Sequence, residues 1–250
     1  MLLRIVNSCF PVKKEVYVKR ATQIFVFMSI AAILLSAQFI TAVAELGDKP
    51  YIDSTGYFSI TPPRGWDIQN YPSDPRGRVA FKKKEGSEFA EIQVLVQAAE
   101  VTDFFDFARK IKSNLEKIGL KPEWHPVMFS EIPAIKSVLT LSVRGRKKKF
   151  LNLRFLSGEL YHDIEFSSST ELFDKYQDVF IKTIASYEIG KRKSEGLVAA
   201  KKQKTESYLC LAKIAVEFGD RKNAVFFLDE GLKNDPENKE LLGLKENLKQ

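Results

Sequence analysis

The residues from which this 250-residue chain could build catalysis or a metal site are few: His125, His162, Cys9, Cys210, Asp163 and Glu165. A structural or catalytic zinc needs three or four His, Cys or carboxylate ligands at ordered spacing, and two distant histidines do not supply them. No CxxC, GxSxG, HExxH, P-loop, GxGxxG or EF-hand pattern occurs. Cys210 falls in a helical apolar pattern and reads as a small buried residue rather than a reactive thiol. His162 alternates with Leu160, Ile164 and Phe166, which predicts a partly buried, hydrogen-bonded core position. His125, between Trp124 and Pro126, reads as exposed. Carboxylates are the remaining route to acid–base chemistry. Asp163 and Glu165 share a strand face with Tyr161, and alternating acids of this kind predict a solvated face.

Binding chemistry is better represented. Lys82, Lys83 and Lys84 form one basic cluster, and Arg144, Arg146, Lys147, Lys148 and Lys149 form another. Both are placed in hairpin turns. A meander that joined them would make a patch for anionic lipid headgroups or acidic polymers; apart, they are solubilising charge. The chain holds 39 basic and 32 acidic residues, a formal charge of +7. Residues 1–44 account for +4 of this, so the rest does not carry the footprint of a nucleic-acid binder.

These side chains need elements to position them. Ile24 to Ile40 is an uncharged apolar run behind a basic segment, and Ala42-Val43-Ala44 follows it. That order predicts a secretory signal over 1–44, or an N-terminal membrane anchor if it is retained. In either case the positive flank stays cytoplasmic and the remainder is exported. The expected location is the periplasm or the outer face of a bacterial cytoplasmic membrane. With 1–44 removed, Cys210 has no intrachain disulfide partner.

Residues 45–190 read as an α+β domain, with about six antiparallel strands between helices. With 19 Phe and 8 Tyr in the chain, there is enough apolar volume for a core. Tyr57 to Ile60 forms a strand, Pro62-Pro63 ends it, and Gly65 lets Trp66 turn inward. Arg78–Lys82 and Ala90–Gln97 alternate and predict a hairpin. Thr102 is a candidate cap for a helix that starts at Asp103 and has Gly119 as its C′ residue, with a stripe of Phe104, Phe107, Ala108, Ile111, Leu115 and Ile118. Strands follow at Trp124–Phe129, Ile135–Val143, Phe150–Leu156 and Glu159–Phe166. Ser168 and Glu171 predict a capping box for a helix ending near Gly190, with a stripe from Phe173 to Tyr187. Trp66 is expected to pack against both helical stripes.

This order resembles the PsbP/Mog1-like family over about residues 51–188, most sharply at Gly56, Tyr57, Pro62, Gly65 and Trp66. PsbP is an extrinsic subunit of the photosystem II oxygen-evolving complex, and Mog1 regulates the GTPase Ran. The resemblance implies a fold and is nearly silent on function. No carboxylate/His cluster matches the metal assignments made for PsbP.

Residues 191–204 read as a basic linker or the start of a longer helix. Residues 205–250 resemble one tetratricopeptide (TPR) unit, through Tyr208, Leu211, Ala212, Gly219, Ala224, Leu228, Gly231 and Pro236. Ala215 stands where a Tyr is usual. Leu241, Leu242, Leu244 and Leu248 predict a third helix. A single repeat cannot bury its apolar face alone, so it must pack on the first domain, its own cap or another chain. Tyr208 and Lys222 are its candidate partner-binding residues.

The expectation is an exported, non-enzymatic protein-interaction or assembly factor of the cell envelope, with no cofactor. Its partners are a protein or peptide on the helical unit and an anionic membrane surface on the basic clusters, with no nucleic acid. Two other readings stay open: a PsbP-like extrinsic subunit with bound calcium, implied by resemblance alone, and an envelope hydrolase using Asp163 and Glu165.

Overall fold

Alternating apolar residues extend into strands, and two helical stripes fold back over them. The structure, a computed structural model, describes residues 45–71, 78–143, 145–190 and 197–248, with only the backbone considered for 197–202. The elements run β1 (Tyr51–Ile52), β2 (Phe58–Ile60), β3 (Asp67–Tyr71), β4 (Arg78–Glu85), β5 (Glu88–Ala98), α1 (Phe104–Lys117), β6 (Glu123–Phe129), β7 (Ile132–Val143), β8 (Arg146–Ser157) and β9 (Leu160–Ser169). Then come α2 (Thr170–Ala185), β10 (Glu188–Ile189), α3 (Leu197–Glu217), α4 (Arg221–Asn234) and α5 (Lys239–Asn247). The proposed signal or anchor and residues 191–196 lie outside the described residues.

The main sheet has seven antiparallel strands in the order β3-β4-β5-β9-β8-β7-β6. The sequence predicts about six. The extra strand is β3, an edge strand that is almost wholly exposed and so carries no buried alternation to betray it. A second sheet, β1-β2-β10, forms beside it. β9 inserts between β5 and β8, pairing Val94 with Ile164 on one side and Leu153 with Ile164 on the other.

The pleat gives the sheet two faces. On the first lie Ile92, Val94, Leu153, Phe155, His162, Ile164 and Phe166, all buried. α2 packs over this face, with Phe173 and Phe180 lying 4.8 and 5.3 Å from Phe166 between ring centroids. Each of these rings is worth about 1.5–3 kcal/mol of burial. The small sheet covers the same face further along, where Phe58 stacks on Tyr187 at 5.4 Å. On the second face lie Ser137, Asn152, Arg154, Tyr161, Asp163 and Glu165, which oppose one another across the ladders. α1 reaches this face through Phe107 and Tyr161, 5.2 Å apart, and Phe218, just past the end of α3, meets Trp124 at 5.5 Å.

This division corrects the expected surroundings of Trp66. The corner forms as the sequence suggests: Gly65 has φ 72° and Trp66 is 6% exposed. Its ring stands edge-on to Tyr176 of α2, at 5.4 Å and 88°. α1 does not share this site, because it packs on the opposite face.

The caps also shift by one residue. Asp103, not Thr102, caps α1, its carboxylate accepting the Asp106 N–H at 2.9 Å. At α2 the capping box with Glu171 does not form. β9 stays paired through Ser169, opposite Lys148, so Ser169 becomes the N-cap and its side chain makes no cap hydrogen bond. Ser168 instead donates to the Ser169 carbonyl at 3.0 Å.

Candidate functional site

Three places concentrate polar or titratable side chains. The first lies inside the first face. His162 is fully buried, more so than the partial burial its strand pattern predicts, and it stacks on Phe155 at 4.7 Å. Its Nδ1 shares a 2.7 Å hydrogen bond with the Tyr187 hydroxyl, and Nε2 has no partner among the described residues. Burial pushes its pKa down to about 4, so the ring is neutral at physiological pH. Burial, with Asp53 nearby, raises that of Tyr187.

The consequence is a pH dependence of known sign. The unfolded histidine titrates near 6.5 and the folded one near 4, so the native state binds fewer protons between these values. Its contribution is complete above pH 6.5 and is lost as pH falls toward 4, by about 3 kcal/mol. Urea unfolding at several pH values, in the native chain and in His162→Gln, checks this. The extra acid sensitivity is expected to vanish in the variant, and equal slopes in both chains would place its source elsewhere.

The second place is the polar network on the second face. It corrects the solvated face expected for Asp163 and Glu165. Arg154 Nε donates to Asp163 Oδ2 at 3.0 Å, and the two side chains are only 13% and 16% exposed. Tyr161 donates to the same oxygen at 2.7 Å. Asn152 Nδ2 lies 3.0 Å from both Asp163 Oδ1 and Glu165 Oε2, one hydrogen for each. Arg154 Nη1 also donates to Ser137 at 2.9 Å. Burial would lower the pKa of Arg154, but Asp163 and Tyr161 outweigh it and raise it. Burial raises that of Glu165, against the hydrogen bond from Asn152. Both oxygens of Asp163 are engaged, which leaves it poorly placed as a general base.

Sequence reasoning missed Ser137, Asn152 and Arg154. A signal was present, since Asn152 and Arg154 alternate along β8 as Glu165 and Asp163 do along β9. Only the hairpin register shows that they meet. No group of three or more His, Cys, Asp and Glu gathers around a possible metal position among the described residues. On this face Asp163 takes the Arg154 guanidinium as its cationic partner.

The third place is the end of the sheet where β5 and β8 begin and β9 ends. Here the basic clusters are strand residues rather than turn residues, and the pleat divides each one. Lys82 lies on the second face and pairs with Glu91 at 3.4 Å. Lys83 lies on the first face and donates to the Gly65 carbonyl at 3.3 Å. Lys84 is exposed. Lys149 lies on the first face, 3.9 Å from Asp174 and 4.3 Å from the Phe173 ring centre. Arg146 is 3.8 Å from Glu88, across the end of β9. Arg146, Lys147 and Lys148 line an open cavity of about 620 Å³, together with Ser87, Glu88, Phe89, Val143 and Ser169. Arg144 lies outside the described residues.

Helices α3, α4 and α5 carry the remaining candidates. α3 packs on α1, β6 and β7, and α4 runs along α3. Leu211, Ala212, Ile214, Ala215, Ala224, Phe227, Leu228, Gly231 and Leu241 are buried. Gly231 is small for a reason: a Cβ there would stand 2.9 Å from Leu241 Cδ1 and 3.3 Å from Tyr208 Cβ. Tyr208 is thus partly enclosed by its own helical partners, whereas Lys222 is exposed. Burial and Asp103 push the Cys210 thiol up to about 12, which removes thiolate reactivity.

The fold and these sites define an α+β protein, a seven-stranded antiparallel sheet covered by helices on both faces. No family model and no curated protein matches the chain. Solved structures similar to it include LpqN of Mycobacterium tuberculosis, described as involved in cell envelope biogenesis, at 8% identity and a TM-score of 0.46, covering 58% of this chain and 92% of that one. A Pseudomonas aeruginosa protein of unknown function matches at 12% identity and a TM-score of 0.42, over 60% and 99% of the two chains. Cyanobacterial PsbP (CyanoP) of Synechocystis sp. PCC 6803 matches at 16% identity and a TM-score of 0.30, over 59% and 94%. Among the described residues, no helix is long and apolar enough to cross a membrane.

Proposed function

We propose that this chain is a non-enzymatic interaction or assembly factor exported to the cell envelope. In this reading a PsbP/Mog1-like domain holds a TPR-like helical unit that receives a protein or peptide. One observation carries it: Phe226 on α4 is 54% exposed, while its neighbour Phe227 is buried. The needs of a purely structural cap are met without it. Phe218 on Trp124 docks the unit on the sheet, and Leu211, Ala224, Leu228 and Leu241 fill the helical seam. An aromatic ring left in water on a rigid helix is the kind of anchor that interfaces use. Val216 and Leu242 add exposed apolar surface on α3 and α5. Export to the envelope rests on the Ile24–Ile40 run and the Ala42-Val43-Ala44 pattern that follows it.

Deleting the helical unit is a poor test, because it would strip α3 from Trp124 and from α1. A surface substitution is cleaner. Envelope fractions passed over the immobilised full chain are expected to yield a bound protein with the native sequence and to lose it with Phe226→Ser. The melting temperature should stay within about 2 °C, as for other exposed positions. Equal recovery with both chains would overturn the reading.

A further inference from the structure

The cavity at the end of β9 has the chemistry of an oxyanion site. Ser169 closes β9 and caps α2, a helix of 16 residues whose positive dipole end therefore falls at this serine. Helix N-termini of this length favour anions, because the first N–H groups have no intrahelical acceptor. That alone would make no site. The second observation is the serine hydroxyl itself. Ser169 is 7% exposed, and its Oγ has no hydrogen-bond partner among the described residues. Buried hydroxyls are nearly always paired, so this one calls for an acceptor.

The register says which way it faces. Ser169 is paired with Lys148, and directly opposed residues project to the same side of a sheet. Both line the cavity, together with Arg146 and Lys147. Lys149, one residue on, is committed to Asp174 on the other face. Against these three cations the wall sets one acid, Glu88, which lies 3.8 Å from Arg146. Glu171 in the first turn of α2 is exposed. The remaining wall is apolar: Phe89 and Val143 are both exposed into solvent there.

We infer that this cavity binds a phosphate group, with Ser169, the N-cap residue of α2, donating its hydroxyl and with Lys148 and Arg146 balancing the charge. A phosphate offers more acceptor oxygens and more negative charge than a carboxylate, which suits a site holding one hydroxyl donor and several cations. Phe89 and Val143 suit an apolar body attached to that phosphate. The same chemistry is offered by free phosphate and by the headgroup of a phospholipid. The site is separate from the exposed Phe226 ring of α4, so Phe226→Ser serves as a control that leaves it intact.

The test uses the full chain with three variants: Ser169→Ala, Lys148→Gln and Phe226→Ser. Ser169→Ala removes one oxygen that makes no cap bond, so its melting temperature without ligand should match the native one within about 2 °C. Inorganic phosphate is titrated by calorimetry, with chloride as the control anion. Binding to phosphatidylcholine vesicles, with and without phosphatidic acid, is measured by flotation. Saturable phosphate binding that weakens about tenfold in Ser169→Ala supports the site with free phosphate as ligand. Vesicle binding that requires phosphatidic acid and weakens in both Ser169→Ala and Lys148→Gln, without phosphate binding, supports it with the headgroup as ligand. Vesicle binding lost in Lys148→Gln yet unchanged in Ser169→Ala would reduce the cavity to surface charge and overturn the inference. So would the absence of both kinds of binding, or phosphate binding indifferent to Ser169.

Discussion

Trp66→Ala lowers the melting temperature by about 6–20 °C, the equivalent of roughly 3–5 kcal/mol in a chain of this size. The ring is almost wholly buried, and it meets Tyr176 edge to face. That geometry adds about 0.5–1.5 kcal/mol beyond the area it covers. Tyr176 is itself tied by a hydrogen bond to Glu85 at the end of β4. Trp66 therefore links the proline corner to α2 and, through Tyr176, to the β4–β5 hairpin. Its removal leaves a cavity beside Tyr176, and the cost of that cavity adds to the lost burial. Thermal unfolding followed by circular dichroism checks this. A melting curve close to the native one would show that the corner contributes little to the core.

Arg154→Leu is expected to cost about as much, 3–5 kcal/mol (roughly), for a different reason. The guanidinium is the cation that faces Asp163 in a half-dry network which also contains Glu165. Removing it leaves Asp163 buried and uncompensated, beside a carboxyl whose pKa burial already raises. Asp163→Leu alone strands Arg154 in the same way. The double variant removes both charges and fills the space with apolar atoms, so it should recover most of the loss. A double-mutant cycle by urea unfolding measures the coupling. Additive losses would mean that the pair is solvated and the network unimportant. The same cycle bears on the hydrolase reading: both oxygens of Asp163 are held, by Arg154, Tyr161 and Asn152, in a network that ties β8 to β9.

Much of the architecture was legible in local patterns. The two-residue period of Ile92, Val94 and Val96 predicted β5, and the stripes of Phe104–Ile118 and Phe173–Tyr187 predicted both covering helices. Short connections made their strands antiparallel neighbours, because the chain had no length for a crossover. Boundaries slipped where two local devices competed. At Ser168-Ser169 the capping signal was real, but pairing with β8 held the strand one residue longer. β3 was missed because an exposed edge strand buries no periodic face.

The functional places were less legible, and for one physical reason. A period of two says which residues share a face, but not which layer covers that face. Asp163 and Glu165 looked like solvated acids because sequence places them on the side away from Ile164 and Phe166, and a one-layer cover would leave that side wet. The protein has helices on both sides, so the acids are enclosed and acquire Arg154 and Asn152 as partners. The lysine runs show the converse: consecutive in sequence, they are split between faces as soon as they become strands.

By itself, then, the sequence determined the class of fold, the order and handed alternation of its elements, the corner at Trp66 and the export signal pattern. All of these depend on neighbours within a few residues. Tertiary structure alone decided that β9 lies between β5 and β8, that α1 and α2 take opposite faces, and that Ser169 ends beside Lys148 and Arg146. Those outcomes depend on pairings between segments far apart in the chain, where register is set by the packing of the whole sheet and not by any local period.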